Sequence, residues 1–121
     1  MAGTLKWAKK PKAKDYAAAE GYLHLQFGRK SAAALTTRLK RAKVRKCAAR
    51  DILRASHTPM AEVKVFDWKK QNKDIKRGRR FTPILLVCGE HGAPLVIADG
   101  FHRLCAAFAF DQDIKVRFKL A

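Results

Sequence analysis

Leu95-Val96-Ile97-Ala98-Asp99-Gly100-Phe101-His102-Arg103-Leu104-Cys105-Ala106-Ala107-Phe108-Ala109 reads as a strand, a turn and a helix in direct succession. Leu95 to Ala98 is a short apolar run suited to a buried strand. Asp99-Gly100 is a turn pair, because Gly100 takes backbone angles that a larger residue resists. Leu104, Cys105, Phe108 and Ala109 then recur at helical spacing, which predicts a helix opening near Phe101 or His102. The first turn of a helix leaves backbone N–H groups without intrahelical partners at the positive end of its dipole. His102 and Arg103 stand beside those amides, so Gly100, Phe101, His102 and Arg103 form a candidate phosphate site. A second reading stands level with it: Arg103 pairs with Asp99, and His102 is a surface residue.

On the N-terminal side, Ile84 to Cys88 is a continuous apolar run, predicting a central strand buried on both faces. Gly89-Glu90-His91-Gly92 turns the chain back along Leu95 to Ala98 as an antiparallel hairpin. On the C-terminal side, Asp111 to Asp113 is a loop. Lys115 to Leu120 alternates Val116, Phe118 and Leu120 with Lys115, Arg117 and Lys119, a half-buried strand with a cationic outer face.

Farther out, Met1 to Lys14 holds lysines and no acidic residue, the composition of a flexible basic tail. Trp7 within it either stacks on a base or, the reading slightly preferred, tucks against the domain. Asp15 is a candidate N-cap for a helix to about Phe27 with Tyr16, Ala19, Leu23 and Phe27 on one face; Gly28 ends it. Ser31 is a candidate cap for a second helix, whose stripe is Leu35, Leu39, Ala42, Ala49 and Leu53. Val44 lies off that stripe, which allows a break near Lys43–Lys46. His57-Thr58-Pro59 marks a boundary. Val63, Val65 and Phe66 suit a short strand. Asp67 to Arg77 reads as a helix with Trp68 and Ile75 buried, stopped by Gly78.

These elements imply an α+β fold: a basic tail (1–14) and one domain (15–121), helical over 15–56 and with its α/β core over 57–121. The length, 121 residues, suits a single modest core. The formal net charge is +17, from 27 Lys+Arg against 10 Asp+Glu. Residues 1–50 hold 14 basic and 2 acidic side chains, residues 51–121 hold 13 and 8. A surplus of this size repels itself and seeks polyanions, with nucleic acid ahead of an acidic membrane surface. Arg38, Arg41, Lys43, Arg45 and Lys46 on the second helix, and Lys76, Arg77, Arg79 and Arg80 before the central strand, are the candidate nucleic-acid contacts. A solvated charged face is the plain alternative at both places.

Cys47, Cys88 and Cys105 lack the spacing of a zinc site or disulfide framework, and Cys88 and Cys105 read as buried thiols. The scattered histidines point to no metal centre. No run reaches membrane-spanning length and no secretory signal opens the chain, so the expected compartment is the cytoplasm, with the nucleoid as one place in it.

Asp99-Gly100-Phe101-His102-Arg103, followed by Leu104, Cys105, Ala106 and Ala107, resembles the signature of the ParB/sulfiredoxin-like fold. Pro83-Ile84-Leu85-Leu86-Val87 is similar to the Pro-Ile-x-Val strand of that group. Sulfiredoxins carry Gly-Gly-Cys-His-Arg at the turn, and ParB-like free-serine kinases carry Asp-Gly-His-His-Arg. From Ala49-Arg50-Asp51-Ile52-Leu53-Arg54-Ala55-Ser56 onward the chain also resembles a family of small uncharacterised bacterial proteins. The resemblance implies a small mixed sheet of ParB/sulfiredoxin-like type, with Gly100, His102 and Arg103 on nucleotide phosphates. It implies a nucleotide with Mg2+ as the cofactor, and Asp99 as the group that holds a metal or acts as base. Phe101 stands where sulfiredoxin has its catalytic cysteine, so sulfinic acid repair is not expected. It also replaces the glutamate of the ParB motif, and His102 replaces the first arginine.

The leading expectation is a small nucleic-acid-binding protein with little sequence specificity, since no base-reading element stands out. Its rival is a nucleotide-dependent enzyme of the ParB-like group: a phosphotransferase, nucleotide hydrolase or nuclease. A third reading is a protein that binds an acidic partner.

Overall fold

The strand Ile84–Val87 has all four side chains buried. A run with no polar face is stable only where both sides are covered. Ile84 and Leu86 enter one core while Leu85 and Val87 enter another, on the opposite side of the sheet. The structure, a computed structural model, describes residues 5–59, 63 and 69–121.

In chain order the described elements are β1 (Lys6–Trp7), α1 (Ala13–Phe27), α2 (Arg29–Arg41), β2 (Arg45–Ala48), α3 (Ala49–Ala55), α4 (Lys69–Lys76), β3 (Arg80–Phe81), β4 (Ile84–Val87), β5 (Val96–Asp99), α5 (Phe101–Phe110) and β6 (Lys115–Leu120). The main sheet runs β2–β6–β4–β5. β4 lies antiparallel to β5 and parallel to β6, and β2 lies antiparallel to β6. β1 and β3 form a separate parallel ladder.

Helices cover both faces. Ala19 and Leu23 of α1 and Ala32 and Leu39 of α2 pack on Leu85, Val87, Val96 and Ala98. Ile52 and Leu53 of α3 and Leu104 to Ala107 of α5 pack on Ile84, Leu86, Val116 and Phe118. The expected hairpin, the start of α5 and the strand Lys115–Leu120 are present. The fold is thus a mixed α and β one, as the element pattern implies.

Several local expectations change. The stretch from Leu5 to Lys14 belongs to the fold instead of forming a tail: Leu5, Trp7 and Pro11 are buried, and Lys6↔Arg80 and Trp7↔Phe81 are in register. The Trp7 ring meets Phe81 edge-on at 5.7 Å. The helix expected from Asp15 begins at Ala13, and the Asp15 carboxylate accepts the Lys12 backbone N–H at 2.8 Å. Ser31 is not a cap, because α2 opens directly after Gly28. The long second helix ends at Arg41, and Arg45–Ala48 becomes an edge strand on β6. Its register with Val116 and Phe118 is a tertiary contact that no local periodicity reports. The core sheet therefore draws a strand from the region read as helical.

Val63 is helical and buried, while Val65, Phe66, Asp67 and Trp68 lie outside the described residues. Cys88 is exposed, unlike buried Cys105. The cationic side of β6 is not an outer face either: Lys115 is exposed but Lys119 is only 7% exposed, because α1 and α2 lie over it.

Candidate functional site

Gly100 sits between β5 and α5 with φ 99° and ψ 20°, in the left-handed region. A Cβ there would stand 2.7 Å from Ile84 Cδ1 and 2.8 Å from Arg103 Nη2. The turn is therefore glycine for conformation and for space. Its carbonyl accepts the Leu104 N–H at 2.9 Å, which closes the first turn of α5.

Arg103 points back across that turn. Nη2 donates to Asp99 Oδ2 at 2.9 Å, Nε donates to the Thr82 carbonyl at 3.2 Å, and Nη1 lies 3.8 Å from Asp15 Oδ1. One guanidinium thus joins the end of β5, the approach to β4 and the start of α1. The pairing of Arg103 with Asp99, one of two readings open in the sequence, is what the structure shows. Burial pushes the Asp99 carboxyl up from its ordinary value, opposed by the hydrogen bond and charge of Arg103.

In front of this cluster lies a polar cleft of about 400 Å3. Asp99, Gly100, Phe101, His102 and Arg103 form one wall. Lys12 and Lys14 from the start of α1 and Arg79 and Arg80 from the entry to β3 form the others. Arg79 is 3.6 Å from Asp74, and Arg80 donates weakly to the Trp7 carbonyl at 3.4 Å. Among the described residues, no carboxylate lies within ion-pair distance of Lys12, Lys14 or Arg80. His102 is exposed on the first turn of α5, and its ring meets the half-buried Phe101 at 5.9 Å.

The structure brings Arg79 and Arg80 to the Asp99-Gly100 turn and leaves the other candidate cations elsewhere. Lys76 and Arg77 are exposed at the end of α4. Arg38 and Arg41 are exposed on the last turn of α2, Lys43 follows it, and Arg45 and Lys46 lie on edge strand β2. The Arg45 guanidinium covers the Phe118 ring at 5.2 Å. Lys12, Lys14, Asp15 and Thr82 are site residues that sequence reasoning missed. The one local signal was Asp15, an isolated acid at the end of a lysine-rich stretch.

The cleft is lined by the start of a helix, two lysines and three arginines, and also by the carboxylates of Asp15, Asp74 and Asp99; Lys12, Lys14 and Arg80 are the cations there suited to phosphate oxygens. Mg2+ fits less well, because it needs hard oxygen ligands and Asp99 and Asp15 are both engaged by Arg103. No group of three or more His, Cys, Asp or Glu able to hold a metal ion occurs among the described residues. No helix among them is long and apolar enough to cross a membrane. No protein-family model, curated protein or solved structure matches the chain.

Proposed function

We propose that this protein binds nucleic acid by its phosphates, with little base readout, on a frame of ParB/sulfiredoxin-like type. The observation that carries the proposal is the cleft ahead of α5, where Lys12, Lys14, Arg79 and Arg80 meet the amide end of a helix. A phosphate there gains oriented donors and fixed positive charge together. Lys12, Lys14 and Arg80 have no carboxylate within ion-pair distance among the described residues. Such cations release condensed counterions from a phosphate backbone on binding, which makes the interaction salt-dependent and blind to sequence. The test is the dissociation constant for duplex and single-stranded oligonucleotides across a salt series. Log affinity should fall linearly with log salt, and the order of bases should matter little. Absence of binding at low salt overturns the proposal.

The size of the same cleft favours a second reading, since about 400 Å3 lies in the range of small-molecule sites. A nucleotide placed there would set its phosphates against α5, and Asp99 would be the nearby base of a phosphotransferase, nucleotide hydrolase or nuclease. Calorimetry with ATP and CTP, with and without magnesium, separates a nucleotide site from a pure backbone contact.

A further inference from the structure

A second recess, about 1380 Å3, opens between α1 and α2 on the side of the sheet away from α5. Lys10, Lys12, Arg29 and Lys40 line it, together with Tyr16 and Lys119. Among the described residues that line it, Glu20 is the one carboxylate.

Lys119 is the unusual member. It is only 7% exposed, yet no carboxylate lies within ion-pair distance of it among the described residues. Its ammonium donates to the Lys40 carbonyl at 3.1 Å and stands 5.5 Å from the Tyr16 ring centre. The Lys40 ammonium stands 5.8 Å from the same ring. A buried charge is costly unless it is paired, and an ammonium has three donors to satisfy. A carbonyl and a ring face shared with a second cation answer that demand only in part. An anion entering the recess would complete it.

We propose that the α1–α2 recess is the track for one single strand of nucleic acid, its phosphates seated on Lys119 and Lys40. This rests on the nucleic-acid reading above and adds the place and the strandedness. The recess is an open groove running from Lys10 and Lys12 past Tyr16 to Lys40 and Lys119, which suits a chain-like occupant. A duplex presents its phosphates on a broad rigid cylinder, which fits poorly against a lysine only 7% exposed. A single strand bends into a groove, and Tyr16 adds an aromatic surface for a base edge or sugar. Lys12 lines both the recess and the cleft, so a strand leaving the recess meets the start of α5 next.

The test is fluorescence anisotropy on the full chain with a labelled oligothymidylate and a duplex of equal length. The single strand should bind at least tenfold more tightly than the duplex. Lys119→Met, which keeps the stem and removes the charge, should weaken single-strand binding about tenfold and reduce the salt slope by about one. The paired change Lys10→Glu with Arg29→Glu alters exposed positions alone, so it decides the matter if Lys119→Met does not fold. Single-strand affinity untouched by that pair, while Arg79→Glu with Arg80→Glu abolishes it, would overturn the track and leave nucleic-acid binding in place. Tighter binding of the duplex would do the same. No binding of either oligonucleotide would overturn both proposals.

Discussion

Arg103 Nη1 stands 3.8 Å from Asp15 Oδ1, so the start of α5 and the start of α1 are joined through two largely buried charges. Asp15 is 4% exposed and also holds the Lys12 N–H. Removing one member of such a pair leaves the other charge without compensation, at a cost of about 3–5 kcal/mol. Arg103→Ala should therefore lower unfolding stability by about that amount in a denaturant titration. A loss below 1 kcal/mol would show that the tie is loose in solution.

Gly100 should tolerate no side chain. Its positive φ costs a non-glycine residue about 1–2 kcal/mol, and the crowding against Ile84 Cδ1 adds strain. Gly100→Ala should destabilise by about 2–4 kcal/mol, read as a drop in melting temperature. Gly92→Ala is the control: φ is 79° but nothing lies within 4 Å of the added Cβ, so the smaller backbone cost alone should appear.

Asp99 sets a pH dependence of definite sign. Burial raises its folded pKa, so between the unfolded and folded values the native state holds the proton more firmly than the unfolded chain does. Its contribution to stability is then greatest below the ordinary carboxylate range and declines as pH rises through the raised value. Melting temperatures of wild type and Asp99→Asn across mildly acidic pH check this. The decline should be steeper in wild type, and parallel curves would remove the assignment.

The cleft cations should act together on phosphate binding. Neutralising Lys12, Lys14, Arg79 and Arg80 to alanine should reduce the slope of log affinity against log salt by roughly three for a single strand, given about 0.7 per phosphate contact. The exposed Lys115, changed alone, should leave that slope nearly unchanged. Equal effects would place the binding face elsewhere.

Thiol reactivity should separate the cysteines. Cys88 is exposed, Cys47 is partly buried with its pKa pushed up by burial and by Asp51, and Cys105 is buried. A disulfide reagent at neutral pH should modify Cys88 first, Cys47 more slowly and Cys105 on unfolding alone. Early modification of Cys105 would mean that α5 opens from the sheet.

What the sequence disclosed was mostly local. The apolar run Ile84–Val87 and the Asp99-Gly100 turn announce themselves, because their neighbours in sequence are also the neighbours that decide their conformation. Arg45–Ala48 was hidden: two of its four residues are cations, and its strand state depends on Val116 and Phe118 far along the chain. Trp7 was read, by a slight preference, as tucked against the domain, and it is, but its partner Phe81 is remote in sequence and could not be named from it. At the site, the choice between a phosphate contact and an ion pair for Arg103 turned on Asp15 and Thr82. Nothing in the spacing of those two residues connects them to the turn.

The position of β6 has a consequence for the order in which the fold is acquired. β6 is the last described element, yet it lies inside the sheet, between β2 and β4. During synthesis, β2 and the β4–β5 hairpin have no common neighbour until residues 115–120 have left the ribosome. Until then the edge of β4 is unpaired and the core under α5 lacks Val116 and Phe118, an invitation to aggregation. Residues 1–114 already hold 24 of the 27 Lys and Arg against all 10 Asp and Glu, and that surplus of +14 sets such nascent copies against one another before the strand that completes the sheet is made.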